Sequence, residues 1–163
     1  MTALLLLLTL LYMVALLLIS RGLSRLQPPA APATRPFISV IIAARNEADH
    51  VTPLLEALAR QDYPREQHEI IIVDDASSDG TAETIEQWLR ANPHCPIRLL
   101  HSEGRDQVIS TKKHALAQGI NAARGEILLF TDADCQPPTT WISSLCARFG
   151  DQVGMVIGYS PYE

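Results

Sequence analysis

Three short polar clusters hold the side chains of this sequence that could do chemistry. Each follows directly on an apolar run, and the three are Arg45-Asn46-Glu47, Asp74-Asp75 and Asp132-Ala133-Asp134. Carboxylates crowded together repel one another and need a compensating cation. Oxygen ligands with no suitable His or Cys nearby favour Mg²⁺ or Mn²⁺, which proteins hold with one or two carboxylates and substrate phosphates. If the fold gathers the clusters, they predict a divalent metal site that can bind a diphosphate.

Apolar periodicity predicts the elements that must gather them. Short β-branched or apolar runs predict strands at residues 37–43, 69–73, 97–100, 126–130 and 155–159. Helical spacing predicts helices at residues 51–58, 81–90, 111–123 and from 139 or 140 to about 149, with Gly125 as a C-cap. Strands alternating with helices form a mostly parallel sheet with helices on both faces. In such sheets the carboxyl ends of the strands share one edge, and ligands bind there.

Each cluster taken alone also has a simpler interpretation. Asn46 and Asp79 can cap helices, and an Asp after a strand is often only a turn former. Asp79-Gly80 is in addition the start signal of the helix predicted at residues 81–90. The occurrence of five acids and an arginine on one predicted edge favours a functional site over three unrelated turns.

The first twenty residues predict a membrane-spanning helix. Residues 2–20 are nineteen uncharged positions dominated by leucine, a length that just crosses a hydrocarbon core of about 30 Å. A cleaved signal peptide is the alternative, although it would have basic residues before its apolar run. Arg21 and Arg25 instead follow the run, which places the C-terminal side in the cytoplasm by the positive-inside rule. We therefore expect an inner-membrane protein with a cytoplasmic domain.

A basic, proline-rich linker is predicted at residues 21–36, before a domain at residues 37–163. Residues 27–36 read QPPAAPATRP, whose four prolines favour an extended spacer. Beyond residue 35 the chain carries ten basic and eighteen acidic side chains. Proteins that track a nucleic-acid backbone need clustered Lys and Arg. The charge balance therefore argues against a nucleic-acid partner.

Three longer stretches resemble glycosyltransferase family 2, which has the GT-A fold. They are SVIIAARNEADHVTPLLEAL, IIIVDDASSDGTAETI and TKKHALAQGINAARGEILLFTDADCQPPTTW, and they are spread over most of residues 37–159, from residue 39 to residue 141. The leading apolar helix and the TDADC form are similar to the membrane-bound, processive-type or lipid-glycosylating branch. The resemblance implies an α/β fold, the Rossmann-like nucleotide-binding half of GT-A with a mostly parallel sheet.

The resemblance also implies how the nucleotide is bound. Asp75 would accept hydrogen bonds from the uracil ring of a UDP-sugar, and Arg45 and Glu47 would lie near the nucleotide. These residues belong to the first and second polar clusters. The implied small-molecule partner is therefore a nucleotide sugar.

The metal and the diphosphate are implied at the third cluster. Asp132 and Asp134 match the D-x-D pair, the first towards the ribose or donor sugar and the second towards Mg²⁺ or Mn²⁺. Lys112 matches a lysine that lies near the donor diphosphate in similar enzymes. Its neighbour Lys113 is a competing candidate, and an ordinary surface lysine is the simpler interpretation of Lys112.

The reaction implied is inverting transfer of a hexose to an acceptor hydroxyl on a lipid or a growing polysaccharide. In similar enzymes the base is an Asp well downstream of D-x-D. The acids after Asp134 are Asp151 and Glu163, and neither lies in a context that resembles that motif. We therefore expect the catalytic base beyond Glu163 and interpret the chain as the N-terminal part of a truncated enzyme.

Two other classes of protein stay open. The run IIIVDDAS resembles the acidic pair of a receiver domain, but a receiver has that pair after its first strand and a phosphorylatable Asp after its third. Here the pair follows the second predicted strand, and His101-Ser102 follow the third. A membrane-tethered nucleotide-binding module without activity is the other alternative.

Overall fold

The computed structural model describes residues 2–24, 35–104, 109–150 and 152–158. The chain divides into two compact units, Met1–Ala30 and Ala31–Glu163. Most of the predicted linker, residues 25–34, lies outside the described residues, and so do the two late acids Asp151 and Glu163.

The described residues of the first unit form helix α1, at Thr2–Ser24. Its segment Leu4–Gly22 has a mean hydropathy of 2.4 and is long and apolar enough to cross a membrane. The Thr9 hydroxyl donates to Leu5 O at 2.8 Å, so this polar side chain is satisfied within the helix itself, as hydrocarbon surroundings require. A signal sequence near an N-terminus has the same length and composition. The helix is confirmed, and its membrane crossing stays a prediction.

The second unit alternates strands and helices, as the periodicity predicts. Its strands are β1 Ile38–Ala44, β2 His68–Asp74, β3 Ile97–His101 and β4 Ile127–Phe130. Its helices are α2 Val51–Ala59, α3 Thr81–Ala91, α4 Thr111–Ala122 and α5 Trp141–Cys146, with a 3-10 turn Arg65–Gln67 before β2. The predicted α/β fold class is confirmed.

All four strands are parallel and lie in the order β3-β2-β1-β4. The chain first adds β2 and β3 on one side of β1, then returns through α4 to place β4 on the other side. The order reverses between β1 and β4, and parallel sheets open a crevice at the carboxyl ends of the strands where this happens. The fold therefore predicts a binding site at the carboxyl ends of β1 and β4.

Alternate strand residues pack on the two faces of the sheet, as the two-residue period of a strand requires. On one face Ile42 packs in a large cluster with Leu54 of α2 and Ile85 of α3. On the other face a smaller cluster joins Ile71 of β2 to Ala115 of α4. These two apolar layers hold the strands whose loops carry the polar clusters.

Gly119 allows α4 to approach the sheet closely. A β-carbon at this position would lie 2.6 Å from Ile41 Cγ2 and 3.2 Å from Val73 Cγ2, so there is no room for any larger side chain. Because α4 follows β3, it begins at the carboxyl edge of the sheet. Its close packing therefore holds the first turn of α4 beside the crevice.

A buried polar network fixes the opposite, amino edge of the sheet. Glu69 is 4% exposed and accepts hydrogen bonds from Ser39 Oγ and Arg124 N, each at 2.8 Å, while Arg98 Nε lies 3.5 Å away. Burial opposes ionisation of Glu69, but these hydrogen bonds and the Arg124 charge outweigh it and lower its pKa. Gly125, predicted as a helix cap, instead donates its N–H to Ser39 Oγ at 2.8 Å.

The last predicted elements differ from the structure. Residues 155–158 of the predicted fifth strand are not in a strand, and residue 159 lies outside the described residues. Met155 and Ile157 are 75% and 82% exposed, so these apolar side chains do not pack on the sheet. Alternating apolar residues form a stable strand only where a neighbouring strand pairs with them. Helix α5 ends at Cys146, not near residue 149. Within the described residues the sheet therefore has four strands rather than five.

We predict that Glu69→Gln lowers the free energy of unfolding at pH 7 by about 1.5–3 kcal/mol, the usual range for hydrogen bonds to a charged group. Because the pKa of Glu69 is lowered in the folded state, its contribution is complete above the unfolded value of about 4.3 and is lost as the pH falls through the folded value. Thermal unfolding of the detergent-solubilised chain should show a large difference from wild type at pH 7 and a smaller one at pH 3.

The matched control is Glu66→Gln, because Glu66 is an exposed carboxylate at the same edge of the sheet. This substitution should leave thermal unfolding nearly unchanged at both pH values. Equal effects of the two substitutions would contradict the assignment of the stabilisation to the buried network.

Candidate functional site

Hydrogen bonds join the loops that follow β1 and β2. Asp75 N donates to Ala44 O at 2.8 Å and so continues the ladder between the two strands. Beyond it, Asn46 N donates to Ser77 Oγ at 3.0 Å, and Ser78 N donates to Asn46 Oδ1 at 2.9 Å. Asn46 therefore connects the two loops and does not cap α2.

Asp79 makes a second connection between the same loops. Its carboxylate accepts hydrogen bonds from Ala48 N and Thr81 N, each at 3.0 Å, and from the Thr81 hydroxyl. The bond from the Thr81 hydroxyl, helped by these backbone donors, lowers the pKa of Asp79. Thr81 Oγ1 in turn accepts Glu47 N at 2.8 Å, while Gly80 occupies the N-cap position of α3 with a φ of 93°. These hydrogen bonds agree with the simpler interpretation of Asp79, in which it is a structural residue at the start of a helix.

Two non-glycine residues in these loops have left-handed backbone conformations, Asn46 with a φ of 54° and Ala76 with a φ of 52°. Asn adopts this region readily because its side chain can hydrogen-bond locally, whereas the β-carbon of Ala makes it costly. Ala76 directly follows Asp75. The strain therefore lies beside a candidate site residue, where strained backbone is often found.

The loops and the start of α4 border a cavity of about 340 Å³ at the carboxyl ends of β1, β2 and β4. All six predicted site residues line it: Arg45, Glu47, Asp75, Lys112, Asp132 and Asp134. The small residues Ala43, Ala44 and Ala133 and the neighbouring Thr111 complete the lining. The volume is at the lower end of the usual range for ligand pockets, about 300–1,000 Å³.

Asp75 is the buried carboxylate of this cavity. Its side chain is 3% exposed, and Arg45 Nη1 lies 3.9 Å from Asp75 Oδ2. A buried carboxylate that lines a cavity offers a strong acceptor to an N–H group of a ligand. Asp75 can therefore recognise a hydrogen-bond donor, and Arg45 lies beside any such ligand.

Lys112 and Asp132 form an exposed ion pair at the other side of the cavity. Lys112 Nζ lies 2.6 Å from Asp132 Oδ1, and this hydrogen bond raises the pKa of Lys112.

The neighbouring Lys113 does not line the cavity. Ser110 determines which of the two lysines faces the cavity, because it is the N-cap of α4 and its Oγ accepts Lys113 N at 3.5 Å. Ser110 was not among the residues predicted from the sequence. A serine directly before the first helical residue is the sequence signal that could have identified it.

Two of the cavity carboxylates have basic side chains nearby, so repulsion between carboxylates does not by itself require a metal ion. Asp75 has Arg45 nearby, and Asp132 has Lys112. Glu47 Oε2 lies 2.9 Å from His50 Nδ1, a partner that is positive only when protonated. The chain therefore supplies part of the compensating positive charge itself.

Asp74 does not belong to the cavity, although it precedes Asp75. Its side chain is 6% exposed, accepts Ser77 N at 3.3 and 3.4 Å, and lies 3.7 Å from His101 Nδ1. Neighbouring residues at a strand end point to opposite sides. Asp74 is therefore a turn former, as the simpler interpretation proposes.

The D-x-D residues can contribute to a metal site but do not form one alone. Asp132 and Asp134 line the cavity, and Cys135 Sγ lies 3.7 Å from Asp134 Oδ1. In the part of the chain that the structure describes, no group of three or more His, Cys, Asp or Glu side chains is placed to hold a metal ion. Mg²⁺ commonly takes one or two carboxylates and completes its shell with water and phosphate oxygens. The residues present therefore fit a cation that binds together with a diphosphate.

Comparison with known proteins assigns the family. The model for glycosyl transferase family 2 matches residues 39–162. This chain belongs to glycosyl transferase family 2. It is 36% identical over 110 residues to glycosyltransferase AglE of Haloferax volcanii, covering 68% of this chain and 34% of that protein. It is 34% identical over 122 residues to beta-monoglucosyldiacylglycerol synthase of Trichormus variabilis, covering 74% and 25%. The chain thus spans about a quarter to a third of the length of these relatives.

Two solved structures of similar glycosyltransferases share the fold. The mannosyltransferase PcManGT from Pyrobaculum calidifontis, in complex with GDP-Man and Mn²⁺, gives a TM-score of 0.68 at 31% identity, covering 78% of this chain and 36% of that one. TarS residues 1–349 from S. aureus, in complex with UDP, give a TM-score of 0.57 at 26% identity, covering 68% and 31%. The GT-A fold implied by the sequence resemblance is confirmed.

We predict that Ala76→Gly raises the free energy of unfolding by up to about 1 kcal/mol. A left-handed conformation costs a residue with a β-carbon about 1–2 kcal/mol, and the greater freedom of glycine in the unfolded chain offsets about half of that gain. Thermal unfolding of the detergent-solubilised variant measures the change. As a control, Ala117→Gly at an exposed position inside α4 should destabilise by about 1 kcal/mol. Destabilisation by both substitutions would contradict the strain assigned to Ala76.

Proposed function

We propose that this chain is the nucleotide-sugar-binding part of a membrane-anchored glycosyltransferase. The proposed reaction is inverting transfer of a hexose from a UDP-sugar, with Mg²⁺ or Mn²⁺, to an acceptor hydroxyl. The cavity between β1 and β4 is the observation that supports it, because it combines the buried carboxylate of Asp75 with the exposed Lys112–Asp132 pair and Asp134. A buried acceptor suits a nucleobase, and a charged rim suits a diphosphate.

The base of the nucleotide is proposed to bind at Asp75. The side chain is 3% exposed, so an N–H donor that reaches it meets a charged acceptor with little competing water. The imide N–H of uracil is such a donor, and Arg45 and Glu47 would lie beside the nucleoside. Guanine also presents N–H groups, and the two structural relatives carry different nucleotides, GDP-Man and UDP. Uridine is the proposal, and guanosine is an outcome that the binding experiment can distinguish.

The diphosphate is proposed to bind between the first turn of α4 and the D-x-D loop. The ammonium of Lys112 and the positive end of the helix dipole at the N-terminus of α4 both favour negative charge. Asp132 would lie towards the ribose or donor sugar, and Asp132 and Asp134 would hold the cation. When bound, the cation acts as a Lewis acid towards the leaving diphosphate. These residues orient the donor so that an acceptor hydroxyl can attack from the opposite side of the anomeric carbon, which gives inversion.

The acceptor is proposed to be a lipid or a growing polysaccharide at the inner membrane. Helix α1 is long and apolar enough to cross the bilayer, and Arg21 at its end would keep the second unit in the cytoplasm. One relative is named a beta-monoglucosyldiacylglycerol synthase, which supports a membrane-lipid acceptor. We propose residues 1–20 as the span, 21–36 as the linker and 37–163 as the nucleotide-binding part of the catalytic domain.

Nucleotide binding tests the proposal. By calorimetry on the detergent-solubilised chain, we predict that UDP binds with Mn²⁺ and much more weakly in excess chelator. Asp75→Ala should weaken UDP roughly ten- to hundredfold, the effect of losing a hydrogen bond of about 1.5–3 kcal/mol to a charged group. The variant should weaken uridine alone to a similar extent, with or without the metal.

The control for this experiment is Asp49→Ala, because Asp49 is an exposed acid in the loop after β1 and is absent from the cavity lining. Its affinity for UDP should equal that of wild type. Tighter binding of GDP than of UDP would overturn the uridine assignment. Failure of the wild-type chain to bind any nucleoside diphosphate would overturn the proposed function.

Turnover separates an enzyme from a nucleotide-binding module without activity. Because this chain spans about a quarter to a third of the length of its relatives, membranes containing this chain should be compared with membranes containing a chain extended through the downstream reading frame. Both are incubated with radiolabelled UDP-sugars and lipid extract. We predict metal-dependent transfer by the longer chain only. Equal transfer by both would place the base within this chain, and binding without transfer by either would favour the inactive module.

A further inference from the structure

We infer that Lys112 competes with the divalent cation for Asp132 and thereby couples the binding of the metal to the binding of the donor diphosphate. The inference rests on the proposed function, since it concerns the same cavity. It adds a role that the match to the family motif does not give, which is control of when the metal binds.

The contact that supports it is short but exposed. Lys112 Nζ lies 2.6 Å from Asp132 Oδ1, within the range of charge-assisted hydrogen bonds. The two side chains are 59% and 60% exposed, and ion pairs this accessible to water are weak. The contact is therefore close enough to occupy Asp132 and weak enough to be exchanged for another partner.

A divalent cation at Asp132 would be repelled by this ammonium. An ion bound by the same carboxylate would lie within a few ångströms of Nζ, a distance at which like charges repel appreciably even near a protein surface. Lys112 must therefore move away or lower the affinity for the ion. The other carboxylates of the cavity lining are Glu47, Asp75 and Asp134. In the described residues no three His, Cys, Asp or Glu side chains are placed to hold a metal ion, so the free protein offers the ion few ligands in place of Asp132.

The diphosphate offers Lys112 another acceptor. Lys112 is the second residue of α4, and its backbone is fixed by the Ser110 N-cap and by the close packing at Gly119. Its four-carbon stem lets the ammonium move without the helix. Phosphate oxygens bind an ammonium by charge-assisted hydrogen bonds, so donor binding would draw Lys112 from Asp132 and free that carboxylate for the metal. Each ligand then raises the affinity for the other by the same factor.

The experiment measures Mn²⁺ binding to the full chain in detergent, from the electron paramagnetic resonance signal of the free ion, with and without UDP. Without nucleotide, Lys112→Met should bind Mn²⁺ about two- to fivefold more tightly than wild type, the effect of removing one exposed ion pair. At saturating Mn²⁺ it should bind UDP about tenfold more weakly, because a charged contact to phosphate is lost. The factor by which UDP tightens Mn²⁺ binding should fall accordingly.

Two further variants define the controls. Lys112→Arg keeps the positive charge and should bind Mn²⁺ alone as weakly as wild type. Lys113→Met removes the adjacent exposed charge, which does not line the cavity, and should change neither affinity. Opposite changes in the two affinities of Lys112→Met would distinguish competition from misfolding, since misfolding weakens both.

Mn²⁺ binding by Lys112→Met that is unchanged or weaker than that of wild type would overturn the inference. An effect of Lys113→Met equal to that of Lys112→Met would also overturn it, because a general change in charge would then explain both. If the wild-type chain binds neither UDP nor GDP, the proposed function fails, but the arm without nucleotide still decides the competition. In that measurement, tighter Mn²⁺ binding by Lys112→Met than by wild type supports the competition, and equal binding by the two proteins refutes it.

Discussion

The position of β1 between β2 and β4 is the constraint on which the candidate site depends. Strand β1 pairs with β2 up to Ala44, whereas its pairing with β4 stops at Ile41. The end of β1 therefore extends past β4, and the chain beyond Phe130 turns across an open crevice. Ala43 and Ala44 line that crevice, and their small side chains leave it unfilled. A cavity forms here because the register leaves the last residues of β1 without a pairing partner in β4, and because Ala43 and Ala44 at the end of β1 are small.

The elements were predictable because each has a strong local signal, but their contacts were not. The β-branched runs and the helical spacing predict every strand and helix around the cavity, and the strand order then gathers the polar clusters at one edge. The choice between Lys112 and Lys113 depends on where α4 begins, since one residue rotates a helical side chain by about 100°. The choice between Asp74 and Asp75 was present in the sequence as the two-residue period of a strand. The predicted strand at residues 155–159 is absent over the described residues 155–158, because apolar alternation does not say whether a partner strand is there.

The electrostatics of the cavity follow from this arrangement. The acidic residues that sequence alone presents as a repelling group are distributed in space, and two of them lie near basic side chains, Asp75 near Arg45 and Asp132 near Lys112. Such pairs limit the repulsion between carboxylates without neutralising the cavity, because its lining has four acidic side chains and two basic ones. The burial of the two carboxylates differs greatly, 3% exposure for Asp75 and 60% for Asp132. A ligand therefore meets a dry, fixed acceptor at one end of the cavity and a hydrated, exchangeable pair at the other.

The same strands are fixed differently at their two ends. At the amino edge, Glu69 of β2 binds Ser39 of β1 and Arg124 just before β4, so all three strands around the cavity are joined in one buried network. At the carboxyl edge, Asn46 and Asp79 join only the loops of β1 and β2. The D-x-D loop contacts the opposite wall of the cavity through the exposed side chains of Lys112 and Asp132. The Asp75 end of the cavity is thus held by backbone hydrogen bonds, whereas the Lys112–Asp132 end is held by one exposed ion pair and can adapt to a ligand without disturbing the sheet.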